Sequence, residues 1–188
     1  MHGKAIISSC LLAVAAILTS PQAGACTNVI VTRGASADGS NLVSYAADSH
    51  TLYGELYYAP AKDWKSGSTR RVYDWDSGRY LCEIEQVPHT YQRVGNMNEH
   101  QLLIAETTFG GRPELWDKRG SMDYGSMIYI ALERCKTARE AIEVMTGLAN
   151  EYGYYSSGES FTIGDKTEVW RMEVIGKGTL LKTGRNLN

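Results

Sequence analysis

Ala23-Gly24-Ala25-Cys26-Thr27-Asn28-Val29-Ile30-Val31 joins a run of small residues to a β-patterned one, and the junction governs the reading of the whole chain. Upstream of it, Lys4 supplies a weak positive start, Ala5 to Leu18 an apolar run, and Thr19 to Gln22 a polar break that contains Pro21. Residues 1–25 therefore read as an export signal with Ala23-Gly24-Ala25 as its cleavage site. The apolar run is shorter than the ~20 residues a membrane-spanning helix needs, and no later segment approaches that length. Cleavage leaves Cys26 as the first residue of a chain covering 26–188, with a thiol and a free α-amine on one residue. A free thiol titrates near ~8.5 and an α-amine near ~7.7–8.0, so neutral amine is available around neutral pH. That amine can take the thiol proton as sulfur attacks a carbonyl, and return it to a leaving amine.

Two other readings of Cys26 stay open from the residues alone. In one, the signal is that of a lipoprotein and an acylated Cys26 tethers the chain to a membrane, although such signals favour a large aliphatic residue where Ala23 stands. In the other, cleavage falls elsewhere and Cys26 is an ordinary buried cysteine, as this residue type often is. A Cys-His-Asn arrangement finds little support, because His50, His89 and His100 sit in no cysteine-protease signature.

Composition narrows the classes. The chain has 19 Lys+Arg against 21 Asp+Glu, and removing 1–25 deletes only Lys4 from these, so acids outnumber bases by three in 26–188. Nucleic-acid binding would need a basic face and is not expected. Cys26, Cys82 and Cys135 remain, an odd count at wide spacing that gives neither a disulfide framework nor a zinc spacing. Cys82 and Cys135 read as core residues, with a bridge between them left open. There is no His-Glu-x-x-His and no Cys/His cluster, so no metal or cofactor is expected. His100 reads as a turn residue rather than a ligand. Twelve tyrosines and four tryptophans make an aromatic chain with polar handles.

Thr27 to Thr32 and Asn41 to Ala46 read as strands around the Asp38-Gly39 turn, which predicts a hairpin. Strand-like runs follow at Glu55–Tyr58, Arg70–Tyr73, Cys82–Val87, Tyr91–Val94 and Gln101–Thr107, with loops at Lys62–Thr69 and Asp74–Arg79. After Ser121 the period changes. Met127, Ile128, Ile130, Ala131 and Leu132 predict a helix ending near Cys135, and Thr137-Ala-Arg-Glu140 is a capping box that starts a second one. That helix carries Ala138, Ala141, Ile142, Met145, Leu148 and Ala149 at helical spacing and stops before Gly153. Strands return at Ser160–Ile163 and Glu168–Ile175 around Gly164-Asp165-Lys166. The order of strands, a helical pair and strands predicts a layered α+β fold with the helices packed over a sheet.

Five stretches taken together resemble a known group. Cys26-Thr-Asn-Val-Ile-Val, Ala35-Ser-Ala-Asp-Gly-Ser40, Ala47-Asp48-Ser49, Gly95-Asn-Met-Asn-Glu-His100 and Ser160-Phe-Thr-Ile-Gly-Asp165 are similar, in this order, to peptidase family C69. Its members are dipeptidases of the N-terminal nucleophile hydrolase superfamily, distant relatives of penicillin V acylase and bile salt hydrolase. The resemblance covers roughly 26–178 and implies an αββα sandwich, incomplete in this chain. Carried over residue by residue, it implies Cys26 as nucleophile and Asp48 as the acid that orients its amino group. It implies Asn98 as a side-chain donor to the oxyanion, where one such donor is typically worth ~2.7–4 kcal/mol. Read without the resemblance, Asp48 is a strand-end turn residue and Asn98 a turn former. Tyr45 stands where many relatives carry an arginine, and packing or hydrogen bonding near the thiol is the role it suggests. The final stretch from Thr179 to Asn188 no longer resembles the family, whose members run to several hundred residues, so an N-terminal fragment is expected. Such a piece would leave strand edges and apolar faces uncovered and prone to aggregate.

The expected activity is hydrolysis of a dipeptide or small peptide by a periplasmic or secreted enzyme through an acyl-enzyme on Cys26. Its rivals are an acylase-type amidase using the same nucleophile, and a catalytically silent lipoprotein. Homo-oligomer formation is left open.

Overall fold

Alternation of side chains across the first strand sets the first ribbon. In the computed structural model, which describes residues 26–49 and 54–177, β1 (Thr27–Val31) pairs antiparallel with β2 (Leu42–Ala46), with Thr27 opposite Ala46 and Val31 opposite Leu42. The expected signal segment 1–25 and the tail from 178 lie outside the described residues, as does His50. The connection turns at Gly39, whose φ of +76° is costly for any residue with a Cβ, and Asp38 Oδ1 accepts the Ser40 N–H at 3.0 Å.

Short strands follow: β3 (Tyr58–Ala59), β4 (Lys62–Asp63), β5 (Thr69–Tyr73), β6 (Tyr80–Glu85), β7 (His89–Thr90), β8 (Arg93–Val94) and β9 (Met97–Asn98). The expected strand at Glu55–Tyr58 is reduced to β3, where only Tyr58 and Ala59 find partners on β8 and Pro60, with no N–H to donate, follows. Tyr91–Val94 is likewise cut to β8, which turns into β9 at Gly95 (φ +52°). Next come β10 (Leu103–Gly110), a 3-10 turn at Pro113–Leu115, helices α1 (Tyr124–Arg134) and α2 (Ala138–Tyr152), and strands β11 (Gly158–Gly164) and β12 (Val169–Val174). Six of the strands form one antiparallel sheet in the order β12-β11-β10-β9-β8-β3, while β4 pairs with β7 and β5 with β6. The β1–β2 ribbon lies against β10.

Both helices begin where the side chains dictate. Asp123 caps α1 by accepting the Ser126 N–H and, through the same oxygen, the Trp75 N–H at 3.0 Å. Thr137 and Glu140 form the expected reciprocal box at the start of α2, which ends at Gly153 with φ +73°. The apolar faces of both helices close over the sheet. Met127, Ile130, Leu132, Ala141 and Met145 join Ile104, Phe161 and Ile163 in one fully buried core. Buried Glu133 ties α1 to the strands through Arg70 of β5 and Arg93 of β8, the latter at 2.8 Å. The fold is α+β. Cys26, Cys82 and Cys135 are all free thiols, so no Cys82–Cys135 bridge forms, and Cys82 Sγ instead donates to the Ser121 carbonyl at 3.2 Å. On the far side, the ribbon leaves Val29, Ile30 and Leu42 exposed. No helix among the described residues is long and apolar enough to cross a membrane.

Candidate active site

Register on the helix-covered face of the sheet builds the site. Ile104 lies opposite Ile163, Glu106 opposite Phe161 and Thr108 opposite Glu159, so these six residues share one face. The pairs nearer Ile104 are sealed by the helices. Those nearer Thr108 open into a cavity of about 470 Å³ between the sheet and the first turns of α1. Cys26, at the start of β1, reaches the same cavity.

The sulfur is held by a carboxylate. Cys26 Sγ donates to Glu106 Oε1 at 3.2 Å, and Tyr45 Oη donates to the same oxygen at 2.6 Å. Asn28, two residues after the cysteine, fastens the ribbon to β10: its Nδ2 donates to the Glu106 carbonyl at 2.9 Å and to Thr107 Oγ1 at 2.8 Å. Burial, followed by the bond to Glu106 and the negative charges of Glu106 and Glu159, pushes the thiol up to about 11 against the opposing pull of the Asp48 backbone N–H. Burial and Glu106 likewise push the Tyr45 phenol far up, so it stays a proton donor. Beside Glu106 stands Glu159, only 1% exposed, whose Oε1 accepts from Thr108 Oγ1 at 2.8 Å. Burial, with Glu106 in hydrogen-bonding reach, raises the Glu159 carboxyl to about 9, so Glu159 keeps its proton near neutral pH and can hold it toward Glu106.

Aromatic rings and acids complete the wall. Tyr57, Trp75 and Tyr129 pack edge-on and tilted in a cluster, with centroids 5.2 Å apart for Tyr57–Trp75 and 4.7 Å for Trp75–Tyr129. Asp48, Glu55, Asp74 and Asp76 join Glu106 and Glu159, and no Lys, Arg or His is found among the described residues that line the cavity. The field inside is negative.

The residues singled out from sequence separate here. Cys26 and Asp48 come together: Asp48 is an exposed residue of the cavity wall, and its N–H approaches the sulfur. Asn98 does not join them. Its side chain is 5% exposed, and its amide nitrogen donates to the Leu132 and Cys135 carbonyls at 2.7 and 2.8 Å. Its Oδ1 accepts the His100 and Leu102 N–H groups at 3.0 and 3.1 Å. Every hydrogen-bonding position of the Asn98 amide is thus committed to the end of α1 and to its own turn, which leaves no donor for an oxyanion. The structure does not bring Asn98, expected as that donor, to the Cys26 cavity. Asn96, two residues earlier, lines the cavity and spends one amide N–H on the Ile104 carbonyl at 2.7 Å. Glu106 and Glu159 escaped the sequence reading. The signal for both was an ionisable residue inside a strand whose other residues carry no charge, Leu102 to Thr107 and Gly158 to Ile163.

A half-buried thiol and phenol thus share one carboxylate oxygen in an acidic, aromatic cavity. The chain belongs to peptidase family C69, whose model matches residues 25–183. It is 25% identical to a probable dipeptidase A of Streptococcus pyogenes serotype M3 (strain SSI-1), over 81% of this chain and 36% of that protein. The chain thus spans about a third of the length of this curated relative.

Proposed function

We propose that this chain carries the nucleophile of a cysteine dipeptidase that is exported to the periplasm or medium and trimmed so that Cys26 becomes N-terminal. The observation that carries the reading is Cys26 itself, its sulfur bonded to Glu106 at the wall of a cavity large enough for a dipeptide. In the reaction, sulfur attacks the scissile carbonyl carbon and a C–S bond forms. The Cys26 α-amine takes the thiol proton and passes it to the leaving amine as the C–N bond breaks. The Asp48 carboxylate orients the α-amine, and backbone N–H groups beside the nucleophile meet the negative oxygen of the tetrahedral intermediate. Water then adds to the thioester, the C–S bond breaks, and the thiol recovers its proton. On this reading the α+β layers are part of the four-layer αββα sandwich of N-terminal nucleophile hydrolases.

Two measurements test it. Mass spectrometry of exported protein should give a mature terminus at unmodified Cys26; a diacylglyceryl mass or another terminus rules the mechanism out. Cys26→Ser should lower dipeptide turnover by roughly 10³-fold or more, and unchanged turnover would remove the assignment.

A further inference from the structure

A peptide whose first carbonyl is attacked by Cys26 brings one more group to a fixed place. Its α-nitrogen lies about 2.5 Å from that carbonyl carbon, two bonds away along N–Cα–C. Glu106 Oε1 lies 3.2 Å from Sγ, so attack by the sulfur carries that nitrogen into the neighbourhood of the Glu106 carboxyl. Two oxygens there accept from no donor of the protein: Glu106 Oε2 and Glu159 Oε2, on side chains 3% and 1% exposed, in residues that line the cavity. Two carboxyl oxygens can bond each other only through a proton, and a buried acid pair lacking other donors is poorly satisfied. An ammonium group brings three N–H donors and a positive charge to the same spot.

We propose that the Glu106–Glu159 pair is the receptor for the free α-ammonium of the substrate, which makes the site specific for unblocked N-terminal residues. The ammonium takes the place of the proton that Glu159 otherwise keeps and bonds both free Oε2 atoms. The remaining acids of the wall, with no cation among the described lining residues, draw it in. Tyr45 and Thr108 occupy the other oxygen of each acid, so both carboxyls are aimed before substrate arrives. An N-acylated amide offers no charge here and leaves the pair unpaired, which a site built for hydrogen bonding rejects strongly. The proposal rests on Cys26 as the attacking group, and its test is independent of turnover.

The experiment is calorimetric titration of the full chain bearing Cys26→Ala with L-leucinamide and with N-acetyl-L-leucinamide. Leucinamide should bind saturably and the acetylated probe roughly 30-fold more weakly or worse. Glu159→Gln, which keeps the shape and the Thr108 bond, should weaken leucinamide about tenfold or more while leaving the acetylated probe unchanged. Circular dichroism checks that this variant folds, and the comparison of the two probes needs no variant of the pair. Equal affinity for both probes, no binding of either, or indifference to Glu159→Gln each overturns the ammonium site, and none of these touches the nucleophile assignment. Turnover that survives Cys26→Ser would instead fail the hydrolase reading while the titration still judges the pair.

Discussion

Glu106 Oε1 receives two donors, the Cys26 thiol and the Tyr45 phenol, and this double acceptance fixes where the sulfur points. It also holds the thiol protonated at rest, since burial and then the Glu106 carboxylate raise it to about 11. Glu106→Gln removes the negative charge and should lower the thiol pKa. More thiolate forms at pH ~8, partly offset by its lower intrinsic nucleophilicity, so iodoacetamide should alkylate Cys26 about threefold faster per unit of downward shift. An unchanged or slower alkylation rate would show that Glu106 does not govern the thiol. Asn98 spends its hydrogen bonds on the end of α1 and on its own turn. Asn98→Ala should destabilise the fold by about 2–4 kcal/mol in urea unfolding, because two carbonyls and two N–H groups lose their partners. Cys26 alkylation should be unaffected below the melting point. A loss of alkylation without loss of stability would return Asn98 to the site.

At the level of elements, the start of α1 is where fold and site meet. Asp123 ties that start to the Trp75 backbone, and Gly125 in its first turn lets the Trp75 ring lie against the helix. A Cβ on Gly125 would fall 2.6 Å from Trp75 Cγ, a distance no real contact tolerates. Alanine is the better helix former by about 1 kcal/mol, but overpacking of this kind costs about 1–3 kcal/mol. Gly125→Ala should therefore lower the melting temperature and push Trp75 into the cavity, with a changed tryptophan emission and weaker leucinamide binding. A higher melting temperature with unaltered emission would show that the ring gives way freely. By contrast α2 is locally self-sufficient: its capping box, apolar stripe and terminal Gly153 were all readable in sequence.

Across the whole molecule, the buried acid pair should set how stability responds to pH. The Glu159 carboxyl is raised from 4.5 to about 9, burial first and Glu106 beside it second. A carboxyl raised on folding binds its proton more tightly in the native state than in the unfolded chain. Its contribution is thus fully present below about pH 4.5 and is lost as pH climbs through about 9. Glu159→Gln should raise the melting temperature, and the gain over the parent should widen between pH ~5 and ~9. A gain that stays constant across that range would mean that Glu159 does not keep its proton. A stabilising substitution at this place also accords with sites that hold poorly satisfied groups ready for a ligand.

Much of the α+β layout followed from the chain alone. The Asp38-Gly39 hairpin, both helices with the second one's capping box, and the paired strands around Gly164-Asp165-Lys166 depend on near-neighbour sterics and local hydrogen bonds, which are written residue by residue. The export-signal pattern marked Cys26, and the family resemblance marked Asp48; neither is a long-range signal. They could not tell that Asn98 turns inward to serve α1, because a turn asparagine reads the same whether its amide faces a helix end or a cavity. Nor could they join Glu106 to Glu159. That meeting depends on the register of β10 against β11, where a slip of one residue would send both acids to the opposite face, and only long-range packing of the helices over Ile104, Phe161 and Ile163 selects it.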